Sequence, residues 1–305
     1  MESTALQNPF FDSIPLNKSL FHYTDAGGLV GLVNGKLWLT SLHYQNDSKE
    51  YYYAINMLKD ILNTEYPGLL HDTTISMLGR KMSLSFSFSL SEQGDSLSQW
   101  RGYCPKGGFA LSFENVSFNN FIKDNNLQIV KCVYNVNDQK EVLRKYVIGI
   151  TQAQFEHARA TKDSSELPFS VNTLHYEIFN KISRVAPILK DPNFCQEEEW
   201  RLIKTLISTD AHRQYGSNAL SEILPSNNVK VRPRGNAFIP YVEIPLKHDE
   251  SRRNVSVAIV RMSPSNLPDN LRKFAEDACK SLLYTSDKVA HYNAEVVSSI
   301  IPYIT

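Results

Sequence analysis

Nowhere does the chain run to about 18 consecutive apolar residues, so no membrane-spanning helix is expected. The opening residues MESTALQNPFFDSIPLNKS lack a basic segment followed by a long apolar one, and no secretory signal is expected either. Cysteine is scarce and scattered. Cys104, Cys132, Cys195 and Cys279 show no C-x-x-C spacing, which points to reduced thiols in a cytoplasmic protein rather than a disulfide framework or a zinc site. The 8 histidines are as dispersed, with no H-E-x-x-H, so no metal is expected. G-x-G-x-x-G, G-K-[ST] and G-x-S-x-G are missing too, which removes the usual nucleotide loops and the acyl-transfer elbow. Charge of one sign is lacking as well: 32 basic residues balance 32 acidic ones, leaving no global field to draw in nucleic acid or an anionic membrane. A nucleic-acid contact would need a local patch such as KVRPRG (230–235) with Arg252 and Arg253, whose plainer reading is a solvated loop.

What is present suits one globular unit. At 305 residues, 42% of them hydrophobic, the chain is long enough to bury a large core. No repeat or Pro/Gly/Ser linker divides it, so residues 20–305 are expected to form a single domain after an N-terminal extension over 1–19. LFHYT (20–24) and KLWLTSL (36–42) read as strands flanking a short helix through AGGLVGLV. Thr24 or Asp25 would cap that helix and Asn34-Gly35 would stop it. A helix with Leu58, Ile61 and Leu62 inward should follow a cap at Asp47 or Ser48. FALSF (109–113), IVKCVY (129–134), YVEIPL (241–246) and VSVAIVRM (255–262) are further strands. A helical insertion is expected at about 137–187. Its first helix would span about 138–162 with Val142, Tyr146, Ile150 and Ala153 on one face, its second about 170–186; a last helix is expected at about 268–284. Strands and helices alternate without βαβ regularity, which favours an α+β fold.

Three distant strings put polar groups into strand-like, apolar surroundings, where unpaired burial would cost a few kcal/mol each. In SLSFSFSLS, Ser83, Ser85, Ser87, Ser89 and Ser91 share one face and Leu84, Phe86, Phe88 and Leu90 the other. The serine face either meets water or lines a cleft close to the backbone. In EEEWRLI, a strand starting at Glu197 would point Glu197, Glu199 and Arg201 the same way, either into a cavity or as a solvated acidic end. His22 lies between Phe21 and Tyr23, as a hydrogen-bonded core residue or as part of a site. QWRGY sets Trp100, Arg101 and Tyr103 in a turn-rich, glycine-punctuated segment suited to phosphate binding and ring stacking, or to a structural ion pair.

FHYT, KLWLTS, QNDSKE (45–50), SFS, GDSLSQWRGY (94–103), GGFALSF, KDPNFCQEEEWR (190–201), FIPYVEIPL (238–246) and SSIIPY, in that order, resemble the bacterial domain-of-unknown-function family 2971 from about Leu20 to Tyr303. The tail ends PYIT where an arginine is expected after the tyrosine, and RMSP (261–264) stands where a glycine commonly precedes the proline. The layout also resembles, remotely, that of ADP-ribosyltransferases: a His on the first strand, Ser-x-Ser on a middle strand and Glu-x-Glu on a late one. That resemblance implies two small antiparallel or mixed sheets forming a cleft that holds NAD as substrate, with surrounding helices. It implies Glu199 stabilising an oxocarbenium-like transition state, Glu197 orienting the acceptor, and His22 donating to a ribose hydroxyl beside Tyr23 and Thr24. Ser85 and Ser87 would support the glutamate, Arg101 would pair with the pyrophosphate, and Tyr103 or Trp100 would stack on nicotinamide. The expected activity is ADP-ribose transfer to a protein or nucleic-acid acceptor, or NAD hydrolysis, in a toxin-like effector of anti-phage defence with a partner or antitoxin protein. Two alternatives stand beside it: a non-catalytic nucleotide- or signal-binding module acting through a partner, and an RNA- or DNA-processing protein using Arg232 and Arg234.

Overall fold

In a computed structural model of the protein the described residues are 9–11, 13–44, 50–65, 67, 83–149, 178, 180–207, 229–234, 236–246, 254–289 and 294–302. The strands among them are β1 (Phe10–Phe11), β2 (Phe21–Thr24), β3 (Lys36–Ser41), β4 (Ser83–Ser91), β5 (Phe109–Phe113), β6 (Gln128–Lys131), β7 (Glu199–Ile207), β8 (Val229–Arg234), β9 (Ala237–Pro245), β10 (Val257–Met262) and β11 (Glu295–Ser298). The helices are α1 (Ala26–Val33), α2 (Glu50–Glu65), α3 (Leu97–Tyr103), α4 (Asn115–Asp124), α5 (Val136–Leu143) and α6 (Asp269–Tyr284). All 11 strands join one open sheet in the order β1-β6-β7-β4-β2-β5-β10-β11, with β3 attached to β4, and β9 and β8 attached beyond β3. Every ladder is antiparallel except β10–β11, so the sheet is mixed and the class is α+β.

The sheet branches at β4. One edge of this 9-residue strand runs its whole length against β7, from Ser83↔Ile207 to Ser91↔Glu199. The other edge is divided: β2 meets it at Phe21↔Ser91, and β3 at Thr40↔Ser87 and Ser41↔Phe86. Two limbs, β2-β5-β10-β11 and β3-β9-β8, therefore diverge from one strand. Where two small sheets were expected, a single branched sheet is found, because β4 is long enough to hold both limbs at once.

Alternation along β4 builds two layers. Phe86, Phe88 and Leu90 pack with Leu37, Leu39, Leu111, Trp200 and Leu202 under α1 and α4. On the other face α2, α5 and the chain around 180–189 form a second core from Leu58, Ile61, Leu62, Val142, Ile182, Val185 and Leu189. Covered on both faces, β4 and β7 are interior strands.

Several local expectations are met. Asp25 caps α1, its carboxylate accepting the Gly28 N–H at 2.8 Å, and Gly35 follows the helix at φ +76°, a left-handed conformation that glycine adopts without strain. Leu58, Ile61 and Leu62 point inward from α2. The residues before Leu20 are less detached than expected. Phe10 and Phe11 pair with Val130 and Ile129, and Ile14 is buried with its N–H on Asn119 Oδ1 at 2.8 Å. The long helix expected from 138 starts at Val136, after an Asn135 cap, and passes into a π-helical turn over Arg144–Ile148; Ile150 and Ala153 lie outside the described residues. So do Asp47, Ser48, Arg252, Arg253 and Tyr303.

Candidate functional site

The EEEWR string does not enter the sheet where its pattern suggested. Asp191 caps a 3-10 turn over Pro192–Glu197, Glu198 takes a left-handed conformation at φ 42°, and β7 begins only at Glu199. Glu197 is therefore outside the strand, yet its carboxylate returns to Glu199 through one shared cation. The Lys190 ammonium donates to Glu197 Oε2 and, at 2.5 Å, to Glu199 Oε2. Arg201, two residues along the same strand face, donates from Nε to Glu199 Oε1 at 2.8 Å and from Nη2 to Oε2 at 2.9 Å. Its Nη1 reaches the Pro187 carbonyl at 2.9 Å. Among the described residues two carboxylates and two cations thus balance in a place where Glu199, Lys190 and Arg201 are each 1–3% exposed.

Charge decides the state of this cluster. Burial pushes the Glu199 carboxyl up, but the Arg201 and Lys190 charges and their hydrogen bonds outweigh it and hold the group well below the usual carboxylate range. Burial would lower the Lys190 ammonium; Glu199 instead leads the attractions that raise it. Both groups are ionised at neutral pH, and both Glu199 oxygens are occupied. Glu197 differs: only its Oε2 is engaged, by Lys190 and by the Tyr103 hydroxyl at 3.2 Å, and Oε1 has no hydrogen bond among the described residues. Tyr103 on α3 and the 38% exposed Phe194 carry this corner to the surface.

His22 stands on the other side of the sheet. The register pairs Phe21, not His22, with Ser91, and Ser91 with Glu199. Period two then puts Phe21 and Tyr23 on the glutamate face and His22 on the Phe88 face, where the imidazole stacks on Phe88 at 4.0 Å. Its Nδ1 lies 2.8 Å from the Ser89 carbonyl, in the stretch of β4 that neither limb pairs. A carbonyl only accepts, so Nδ1 carries the proton and Nε2 is a bare acceptor without a partner among the described residues. Burial lowers the pKa to about 4, so the ring is neutral at pH 7. The imidazole and Glu199 therefore do not border a common hollow. Tyr23 shares the glutamate face, but its hydroxyl is spent, donating to Gln93 O at 2.7 Å and accepting the Ser96 N–H at 3.1 Å. Thr24 is half-buried, its carbonyl taking the Cys104 thiol at 3.4 Å.

Ser85, Ser87 and Ser91 of the serine row are buried rather than solvated. Ser85 and Ser87 are 3% and 2% exposed beneath the second core, and Ser85 Oγ donates to the Ser183 carbonyl at 3.0 Å. Small hydroxyls let a helical layer approach the strand closely. QWRGY is helical rather than a loop. Trp100 is buried edge-on to Tyr23 with its indole N–H on Asp95 Oδ1 at 2.8 Å, which leaves no ring face for a ligand to stack on from solvent. Arg101 is exposed and makes no hydrogen bond or ion pair among the described residues. KVRPR is strand β8, not a solvated loop: the Arg232 guanidinium lies 5.1 Å from the Trp38 ring centre and donates to Thr40 Oγ1 at 3.0 Å.

Two central residues were passed over. Lys190 heads KDPNFCQEEEWR and Asp95 sits inside GDSLSQWRGY, but neither stands out by strand alternation. Asp95 accepts from Trp100, from Ser299 Oγ at 2.6 Å and from the Ile300 N–H at 2.9 Å, tying α3 to the C-terminal strand. Among the described residues no group of three or more His, Cys, Asp or Glu is placed to hold a metal, and no helix is long and apolar enough to cross a membrane.

Fold and site together define an α+β protein with a branched mixed sheet and a buried, charge-balanced Glu–Lys–Arg cluster opening toward Tyr103. Residues 99–202, which supply most of α3 with Lys190, Glu197, Glu199 and Arg201, match the family model described as "Protein of unknown function (DUF2971)". No curated protein and no solved structure matches the chain.

Proposed function

We propose that the protein is a nucleotide- or signal-binding module that works through a partner protein and holds its ligand at the Tyr103–Glu197 corner without turning it over. One observation carries this reading: both oxygens of Glu199 are gripped from within the fold. A carboxylate that stabilises an oxocarbenium ion needs an oxygen facing the sugar, and a group held far below its ordinary pKa does not serve as a proton donor at neutral pH. Glu197 Oε1 and the Tyr103 ring instead offer an acceptor and an aromatic surface at the edge of a rigid, neutralised base. Calorimetry with NAD, ADP-ribose and cyclic nucleotides tests it. Saturable binding that weakens in Glu197→Gln and Tyr103→Phe, with no nicotinamide released from NAD, supports the module; absence of binding to all of them rejects it.

A second reading, an ADP-ribosyltransferase-like enzyme that transfers ADP-ribose or hydrolyses NAD, is favoured by a different observation. The strands carrying FHYT, SFS and EEEWR are consecutive in the sheet, as β2, β4 and β7. On this reading the reacting carboxylate is Glu197, and the toxin-like role in anti-phage defence comes from the resemblance alone. Nicotinamide release from NAD that disappears in Glu197→Gln would establish the enzyme over the module.

A further inference from the structure

We infer that the unpaired edge of the Arg261 guanidinium is an oxyanion-binding fork, fitted to a phosphate or carboxylate group of a small ligand. Arg261 lies on β10 opposite Ala110, which in turn lies opposite Tyr23 on β2, so all three share the sheet face beneath α3. Its one hydrogen bond among the described residues is long, Nη1 to Asp95 Oδ2 at 3.4 Å. Asp95 hardly needs it, because Trp100, Ser299 and Ile300 already donate to both carboxylate oxygens at 2.6–2.9 Å. Arg261 Nε is buried and has no hydrogen-bond partner among the described residues.

The same chain supplies the comparison. In Arg201, Nη1 reaches the Pro187 carbonyl while Nε and Nη2 close side by side on the two oxygens of Glu199. That edge is the planar fork by which guanidinium recognises carboxylate and phosphate. In Arg261 the fork grips nothing among the described residues, although Nε has been taken out of water, a state in which buried N–H groups are seldom left. The side chain as a whole is 22% exposed, and an anion that reaches the guanidinium edge brings two acceptors into its plane together. This holds whether or not the nucleotide reading above is right.

The test uses the full chain and two probes, inorganic phosphate and acetate, each titrated against chloride at matched ionic strength while thermal unfolding is followed. A saturable rise in Tm with phosphate marks a phosphate-type ligand; a rise with acetate alone marks a carboxylate. In either case Arg261→Lys, which keeps the charge and loses the fork, should weaken the response about tenfold. Arg272→Gln, which removes a cation from exposed α6, should leave it unchanged. No response beyond chloride in the unaltered protein overturns the inference, and so does an undiminished response in Arg261→Lys.

Discussion

Arg201 holds Glu199 by two parallel hydrogen bonds, 2.8 and 2.9 Å long, between residues two apart on the same face of β7. Among the described residues, replacing Glu199 by Gln would leave two buried cations, Arg201 and Lys190, facing one carboxylate, Glu197. Breaking a buried pair in this way typically costs about 3–5 kcal/mol, far more than an exposed ion pair contributes. Glu199→Gln should accordingly shift the denaturant midpoint strongly downward. A change below about 0.5 kcal/mol would mean that the cluster is hydrated and the charge argument is wrong.

His22 should give the fold an acid-sensitive step. Its folded pKa of about 4 lies below the ordinary imidazole value of 6.5, so between those values the unfolded chain binds the extra proton. Stability is then full above pH 6.5 and falls as pH drops toward 4, by about 1–3 kcal/mol for a half-buried group. Glu199 and Glu92, whose pKa values are depressed, lose their contributions only below about 4.5. Urea unfolding across this range, with His22→Asn alongside, separates the two: the upper part of the slope should flatten in the variant. An equally steep slope there would assign the effect to other groups.

Ser85 distinguishes a packed face from an open one. Deleting its hydroxyl in Ser85→Ala removes the hydrogen bond to the Ser183 carbonyl and should cost about 1 kcal/mol. Ser85→Val adds bulk under the helical layer and should cost about 1–3 kcal/mol. If Val is tolerated as well as Ala, the face is less tightly covered than its burial implies.

Asp95 should govern the C-terminal strand. Asp95→Ala removes the acceptor for Trp100 Nε1, Ser299 Oγ and the Ile300 N–H together. Amide hydrogen exchange should speed up in α3 and around Ile300 before it changes in β4 or β7, with about 1–3 kcal/mol of stability lost overall. Uniform acceleration across the sheet would instead mean that Asp95 stabilises the whole fold and not this junction.

Much of the layout was legible because periodicity and caps act locally. Asp25 and Gly35 fix α1 from within ten residues of sequence, and Leu58, Ile61 and Leu62 declare the inner face of α2 by spacing alone. The alternation of SLSFSFSLS was equally plain, but what covers its serines is a helical layer joined to it only by tertiary packing. Register was the decisive blind spot. FHYT and SLSFSFSLS each show two faces, and nothing in either says whether Phe21 or His22 will stand beside Ser91. That one-residue choice sends the imidazole to the far side of the sheet from Glu199. The left-handed turn at Glu198 was hidden for a related reason: strand alternation through EEEWR looks unbroken until the 3-10 turn before it is known.

The branching at β4 also bears on where this protein can be cut. Residues 99–202 contain β5, β6 and the first part of β7, yet the strand that lies between β7 and β2, and the two that flank β5, all come from elsewhere in the chain. A fragment trimmed to those bounds would expose unsatisfied ladder edges along β5 and β7 and strip the cover from Trp200 and Leu202. Such a piece should aggregate rather than fold, and a fragment meant to isolate the Glu–Lys–Arg cluster needs to begin ahead of Phe21 and extend past Met262.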